Sequence, residues 1–185
     1  MAQLFSLGVL SNRQMPRTSI RTMQTALETW ESGLARLGEC ISNFQRLEDS
    51  LSRCISGMIG RDRHAGAIVT VEMSYRAKVA VFGALFRYRF GREDLPEDVS
   101  ELLGRLRDAE QRRNSLVHSM WDVSVKQPTT IKREKSSCRK SGLVRDLQHM
   151  TPDELEEAHE IFEGIEKDLF YLTCEHLPKI AKRIR

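Results

Sequence analysis

Gln111-Arg112-Arg113-Asn114-Ser115-Leu116-Val117-His118 lies inside an amphipathic helix and breaks its pattern. Around it, Val99, Leu102, Leu103, Leu106, Ala109, Leu116, Val117 and Met120 recur at three- and four-residue steps, the period of a helix with one buried face. That helix is predicted to close at Trp121. Continuing the apolar stripe puts Arg113 where a hydrophobic side chain was due. A guanidinium cannot be neutralised there, so it requires a carboxylate, a phosphate or a water-filled cleft. Asn114 and His118, four residues apart, sit about 40° from each other round the helix, and Glu110 extends the same row. A permanent cation, an amide, an imidazole and a carboxylate therefore gather on one side of one helix.

The rest of the chain reads as further helices. A first long helix is expected from Thr18 or Ser19 to Gly60, with Met23, Leu27, Trp30, Leu34, Leu37, Ile41, Phe44, Leu47, Leu51, Ile55 and Met58 as its stripe. Gly33, Gly38 and Gly57 weaken it, and Gly38 is the candidate break. A second helix is expected as one piece from about Ala65 to Arg89, stopped by Gly91, and Glu93-Asp94-Leu95-Pro96 opens the third. Thr151-Pro152-Asp153-Glu154 starts the last one with a hydroxyl cap, a proline at the first helical position and a capping-box glutamate. Pro178 is expected to interrupt that helix. Between the third and last helices, Asp122-Val123-Ser124-Val125 and Thr129-Thr130-Ile131-Lys132-Arg133 flank Lys126-Gln127-Pro128 as a small surface hairpin.

The expected architecture is thus all-α: an up-down four-helix bundle with a small β-hairpin-like flap between helices 3 and 4. Residues 18–177 form the domain, with 122–150 as a basic flap or loop. Residues 1–17 are a frayed or disordered terminus, their basic, hydroxyl-bearing composition only faintly like a targeting segment, and 178–185 are a basic tail.

Composition narrows the function. At 185 residues the chain can bury a core without metal or disulfide help. No apolar run approaches the roughly 18 residues that span a bilayer, so no membrane partner is expected. Cys40, Cys54, Cys138 and Cys174 form no C-x-x-C pair, which fits a reducing, cytoplasmic setting and gives no metal site. No cofactor is expected: the glycines fit neither a phosphate loop nor a dinucleotide pattern. The net charge is only +3, so an affinity for nucleic acid has to come from local clustering. One cluster exists: between Lys126 and Arg145 seven bases face the single acid Glu134. Of these, Lys126, Lys132, Arg133, Lys135, Arg139 and Lys140 are the candidate phosphate-collecting residues, the other reading being a solvated loop. No compact helix-turn-helix with a basic recognition helix is present, which argues against a DNA-binding regulator.

Arg113-Asn114-Ser115-Leu116-Val117-His118 resembles the arginine-x4-histidine motif of the HEPN superfamily, in which a polar residue often follows the arginine. The motif lies near the end of the third long helix, with an aromatic, Trp121, shortly after, and the likeness covers roughly residues 35 to 175. The resemblance implies a metal-independent endoribonuclease acting as a homodimer, of the kind found in toxin–antitoxin and phage-defence systems. It would have RNA as substrate and an antitoxin or similar regulator as partner. Arg113 and His118 would be the catalytic pair, Asn114 the polar support, and Glu110 is added on geometry alone. The alternative from the same resemblance is an inactive bundle that binds a protein, a nucleotide or RNA. The residues themselves leave one more reading open, a structural Arg113 paired with Glu110 or Glu72 and a helix-end His118.

Overall fold

The computed structural model describes residues 17–60, 62–90, 95–139 and 142–183. The expectations for residues 1–16, for Gly91 and Glu93-Asp94, and for Lys140 lie outside these, as does the Arg139 side chain. The described residues are mostly helical, with five helices and one small sheet, in the order α1 (Arg17–Ile59), α2 (Arg63–Val71), α3 (Tyr75–Phe90), α4 (Glu97–Val117), β1 (Met120–Val123), β2 (Ile131–Arg139), β3 (Gly142–Met150) and α5 (Pro152–Arg183).

The 43-residue α1 is the axis of the fold, about 64 Å long. It runs unbroken through both Gly33 and Gly38, because tertiary packing outweighs the propensity cost of about 1 kcal/mol per glycine. Gly33 has a packing reason: a Cβ there would lie 2.8 Å from Ile131 Cδ1, so the missing side chain lets β2 approach the helix.

The expected second helix is two. Ile68-Val69-Thr70-Val71 is a β-branched run with poor helix propensity, and the Thr70 hydroxyl donates back to Gly66 O at 3.0 Å. Ser74 then restarts the chain, its Oγ accepting from Ala77 N–H at 3.3 Å as a cap for α3. Asp62 caps α2 by accepting from His64 and Ala65 N–H. Gly66 permits close contact of α2 with α1, since a Cβ would fall 2.7 Å from Ser56 Cα.

This break changes the topology. Tyr75 meets Phe44, Lys78 meets Glu48, and Arg89 Nε donates to Met58 O, so α3 runs parallel to α1. Along α5, Cys40 meets Leu155, Asn43 meets His159 and Ser50 meets Glu166, so α5 is parallel to α1 as well. The helix α4 runs the other way, Arg105 pairing with Asp168 while Arg112 and Ser115 share a hollow with Glu154 and Ala158. The simple alternating bundle expected of four helices is therefore replaced by α1, α3 and α5 in one direction and α4 in the other, with the short α2 as the return. Phe44, Leu47, Leu51, Ile55, Phe82, Phe86, Leu106, Phe162, Ile165 and Leu169 form the shared core.

The flap is larger than a hairpin. Its strands form an antiparallel sheet in the order β1-β2-β3, with Val123 opposite Ile131 and Ile131 opposite Met150. Trp121, expected to close a helix, sits in β1 instead. The nine-residue β3 falls in what read as loop, and it opens on Gly142 at φ +108°, a conformation that favours glycine. At the other end α5 continues past Pro178 to Arg183. No helix among the described residues is long and apolar enough to cross a membrane.

Candidate functional site

The stripe of α4 is buried at Val99, Leu102, Leu103, Leu106, Ala109 and Leu116, and Arg113 stands in line with it. Its guanidinium lies over the Phe44 ring of α1, with Cζ 5.6 Å from the centroid, and Nη1 donates to Asn114 Oδ1 at 3.0 Å. Among the described residues no carboxylate is within ion-pair distance of it. The structural pairing with Glu110 or Glu72 is therefore not made, and Glu72 is exposed at the end of α2. Asn114 orients the arginine, not the imidazole.

Phe44 joins this notch to α3, its ring 4.6 Å from that of Tyr75. The Tyr75 hydroxyl is buried and has no hydrogen-bond partner among the described residues. Burial, then the nearby Glu110 and Glu48 carboxylates, push the phenol well above its ordinary pKa. Lys78 Nζ, itself buried, donates to Glu48 Oε1 at 2.7 Å, so that carboxylate is already committed. Phe44, Tyr75 and Lys78 come from other helices, and no local pattern around the motif could have named them.

His118 is the residue at which α4 stops. Its backbone (φ −94°, ψ 22°) leaves the helix, its N–H still donates to Asn114 O at 3.2 Å, and its side chain is exposed. Two further carbonyls in the last turn of α4 are occupied by side chains. Ser119 Oγ donates to Ser115 O at 2.6 Å, and the Trp121 indole donates to Leu116 O at 3.0 Å. That is why the chain turns into a strand here: Trp121 caps the helix from outside it. On an ideal helix Arg113 and His118 lie about 140° apart. One protomer thus holds the cation on the α1 side and the imidazole on the outer flank, and does not bring the two together.

The basic candidates of the flap separate by strand alternation. Arg133, expected to collect phosphates, is 7% exposed and tied down. Its Nε donates to Ser119 Oγ at 3.0 Å, Nη1 to Gln148 Oε1 at 2.6 Å, and Nη2 to Ser115 O at 3.1 Å and to Ser115 Oγ. Four of its five N–H groups are used, and it sits at the negative end of α4, so it is a clamp between sheet and helix. Lys132 points to the other face of β2, within 3.9 Å of both Asp122 and Glu134. Lys126 is exposed in the turn between β1 and β2, and Lys135 is half-buried on the Arg133 face.

Among the described residues no group of three or more histidine, cysteine or acidic side chains is placed to hold a metal ion. The thiols of Cys40 and Cys54 are buried and pushed up to about 11, chiefly by burial, which leaves them poor nucleophiles. The chain matches no family model, no curated protein and no solved structure.

Proposed function

We propose that the protein is a metal-independent endoribonuclease of HEPN type, working as a symmetric homodimer. The observation that carries this reading is Arg113: a half-buried guanidinium in the apolar stripe of α4, held by Phe44 and Asn114 and lacking a carboxylate partner among the described residues. A cation kept partly out of water without a counter-ion is an anion site waiting for its ligand. It lies one turn before an exposed imidazole with no hydrogen-bond partner among the described residues.

RNA carries its own nucleophile. In the proposed step the 2′-oxygen forms a bond to phosphorus, the bond from phosphorus to the 5′-oxygen breaks, and the 2′-proton leaves to a base while an acid protonates the departing oxygen. The guanidinium fork of Arg113 stabilises the extra charge on the phosphorane. The His118 imidazole can serve as base or acid, but one imidazole cannot be both within one step. Two protomers joined about a two-fold axis at the ends of α4 supply two. The angular separation of Arg113 and His118 supports the same arrangement, because each arginine then works with the partner's side of the cleft. An effector of this kind would be held in check by a regulatory partner in its cell.

The test is purified protein with end-labelled tRNA and total RNA in the presence of EDTA. Expected are fragments ending in a 2′,3′-cyclic phosphate and beginning with a 5′-hydroxyl, lost in Arg113→Ala and His118→Ala. Cleavage abolished by EDTA but retained by His118→Ala would falsify the mechanism. The second reading, a silent bundle that clamps a phosphate, is favoured by the failure of one protomer to assemble cation and imidazole. Binding without cleavage by a dimer would establish it.

A further inference from the structure

The inward face of the sheet changes character along its length. Ile131, opposite Met150, is part of the core. One step outward Arg133, opposite Gln148, clamps the end of α4. The next pairs, Lys135 opposite Asp146 and Ser137 opposite Val144, are only half-covered or exposed, because the strands have passed beyond the helices. Apolar, then clamped, then open and cationic: the inner face becomes a wall of a trough.

That trough has two hollows, both walled by Ser115 and Arg133. The first, about 460 Å³, lies between α4 and the opening turns of α5. Its charges nearly cancel, Arg112 and Arg133 facing Asp108 and Glu154. The second, about 650 Å³, lies under the hairpin, where Arg133 and Lys135 face the one acid Asp146, while Arg145 contributes only at the rim because alternation turns its side chain to the outer face. The acid is partly engaged, accepting from Gln148 Nε2 at 3.2 Å. Arg145 also reaches Glu134 at 3.7 Å, and Arg133 has one N–H left. Lys135 has no hydrogen-bond or ion-pair partner among the described residues, although Asp146 is its cross-strand neighbour. Ser115 and Ser137 add hydroxyl groups. The second hollow adjoins the cleft described above, since Ser119, which accepts from Arg133, follows His118 directly.

We propose that the second hollow seats a backbone phosphate of single-stranded RNA, with Lys135 as its principal cation, so that the strand reaches the His118 end of α4 from beneath the hairpin. The identity of the strand rests on the nuclease reading; the anion site rests on the charges alone. A recess walled by a helix on one side and a hairpin on the other admits the sugar-phosphate of one strand, whereas an A-form duplex has to be met on an open surface. The cations on the outer face of the same strands, Lys132 foremost, take no part, being turned away and shared with Asp122 and Glu134.

The experiment is fluorescence anisotropy of a labelled single-stranded RNA with the His118→Ala protein, so that affinity is read without cleavage. Lys135→Glu is expected to weaken binding about tenfold or more. Lys132→Glu, the same charge change on the same strand, is expected to stay within about twofold. Lys135→Ala should also lower the slope of log K against log salt by about 0.7, one phosphate contact on a single strand. Equal losses for Lys132→Glu and Lys135→Glu would overturn the site in favour of diffuse charge, and so would a duplex of equal length bound as tightly as the single strand. Wild-type protein that binds through Lys135 but never cuts removes the nuclease and keeps the trough. Wild-type protein that cuts, with Lys135→Glu binding as before, removes only the trough.

Discussion

Two arginines frame the end of α4, and their surroundings are opposite. Arg133 enters from the sheet and finds two serine hydroxyls, a helix carbonyl and an amide oxygen, so that nearly its whole donor set is used. Arg113 enters the apolar stripe from the helix itself and finds a phenyl face and one amide oxygen. Neither is within ion-pair distance of a carboxylate among the described residues. A cation with its donors satisfied, as at the buried Arg133, holds structure together; one with donors to spare, as at the half-buried Arg113, is held for something else. Burial of an arginine is therefore uninformative until its hydrogen bonds are counted.

The largest expected effect lies on the Arg113 side. Arg113→Ala and His118→Ala should each lower RNA cleavage by about 10²–10⁴-fold, the range for losing a transition-state cation or an acid–base group. Thermal midpoints should stay close to wild type, since neither side chain completes a fold-wide network. Product analysis after EDTA treatment and a melting curve on the same samples check both halves. A large fall in melting temperature for Arg113→Ala would place that arginine with Arg133 and dissolve the contrast.

On the Arg133 side the expectation reverses. Arg133→Ala removes the donors to Ser119 Oγ, Gln148 Oε1 and the Ser115 hydroxyl, leaving the Ser115 carbonyl with Ser119 Oγ alone, and should cost about 2–4 kcal/mol of stability. At about 2–4 °C per kcal/mol for a chain of this size, that is a readily measured drop. Urea unfolding monitored at the two tryptophans is the direct assay. An unchanged midpoint would mean that water replaces the guanidinium freely and that Arg133 belongs to the binding surface after all.

The arginine of α4 was legible in the sequence because a helix has a period, and a charge that violates it stands out. The clamp was not, because Arg133 lies in a basic run where nothing distinguishes inward from outward residues until strand register is known. For the same reason Lys132 and Lys135 read alike, and only alternation across β2 sends them to different faces. The third strand was missed because its burial never alternates: Leu143, Arg145 and Leu147 are all exposed, so no two-residue period marks it. The break at residues 72–74 turned on the Thr70 and Ser74 hydroxyls, local bonds that a continuous apolar stripe conceals. Trp121 was recognised as following the motif, yet its indole reaching back to Leu116 O is what ends the helix.

Smaller perturbations grade the clamp. Ser115→Ala removes one of the four bonds and leaves the Ser115 carbonyl in place, so about 1 kcal/mol should be lost, less than for Arg133→Ala. The double variant should lose no more than Arg133→Ala alone, because the serine hydroxyl then has no guanidinium to satisfy. Additive losses would show that Ser115 supports α4 independently of the sheet.

The smallest effect is the most discriminating, because its sign is predicted. Arg113→Leu continues the apolar stripe against Phe44 and removes a cation that no carboxylate among the described residues offsets. Stability should hold or rise by up to about 1 kcal/mol while cleavage and RNA affinity at the cleft disappear, the trade expected where a fold keeps an unfavourable group for its function. The same replacement at Arg133 removes four hydrogen bonds between the sheet and the end of α4, so it destabilises. If both leucine variants lose stability, Arg113 is held by interactions worth more than the desolvation of its charge, and it is then a structural residue. If only Arg133→Leu loses stability, the arginine in the helix is the one placed there for a ligand.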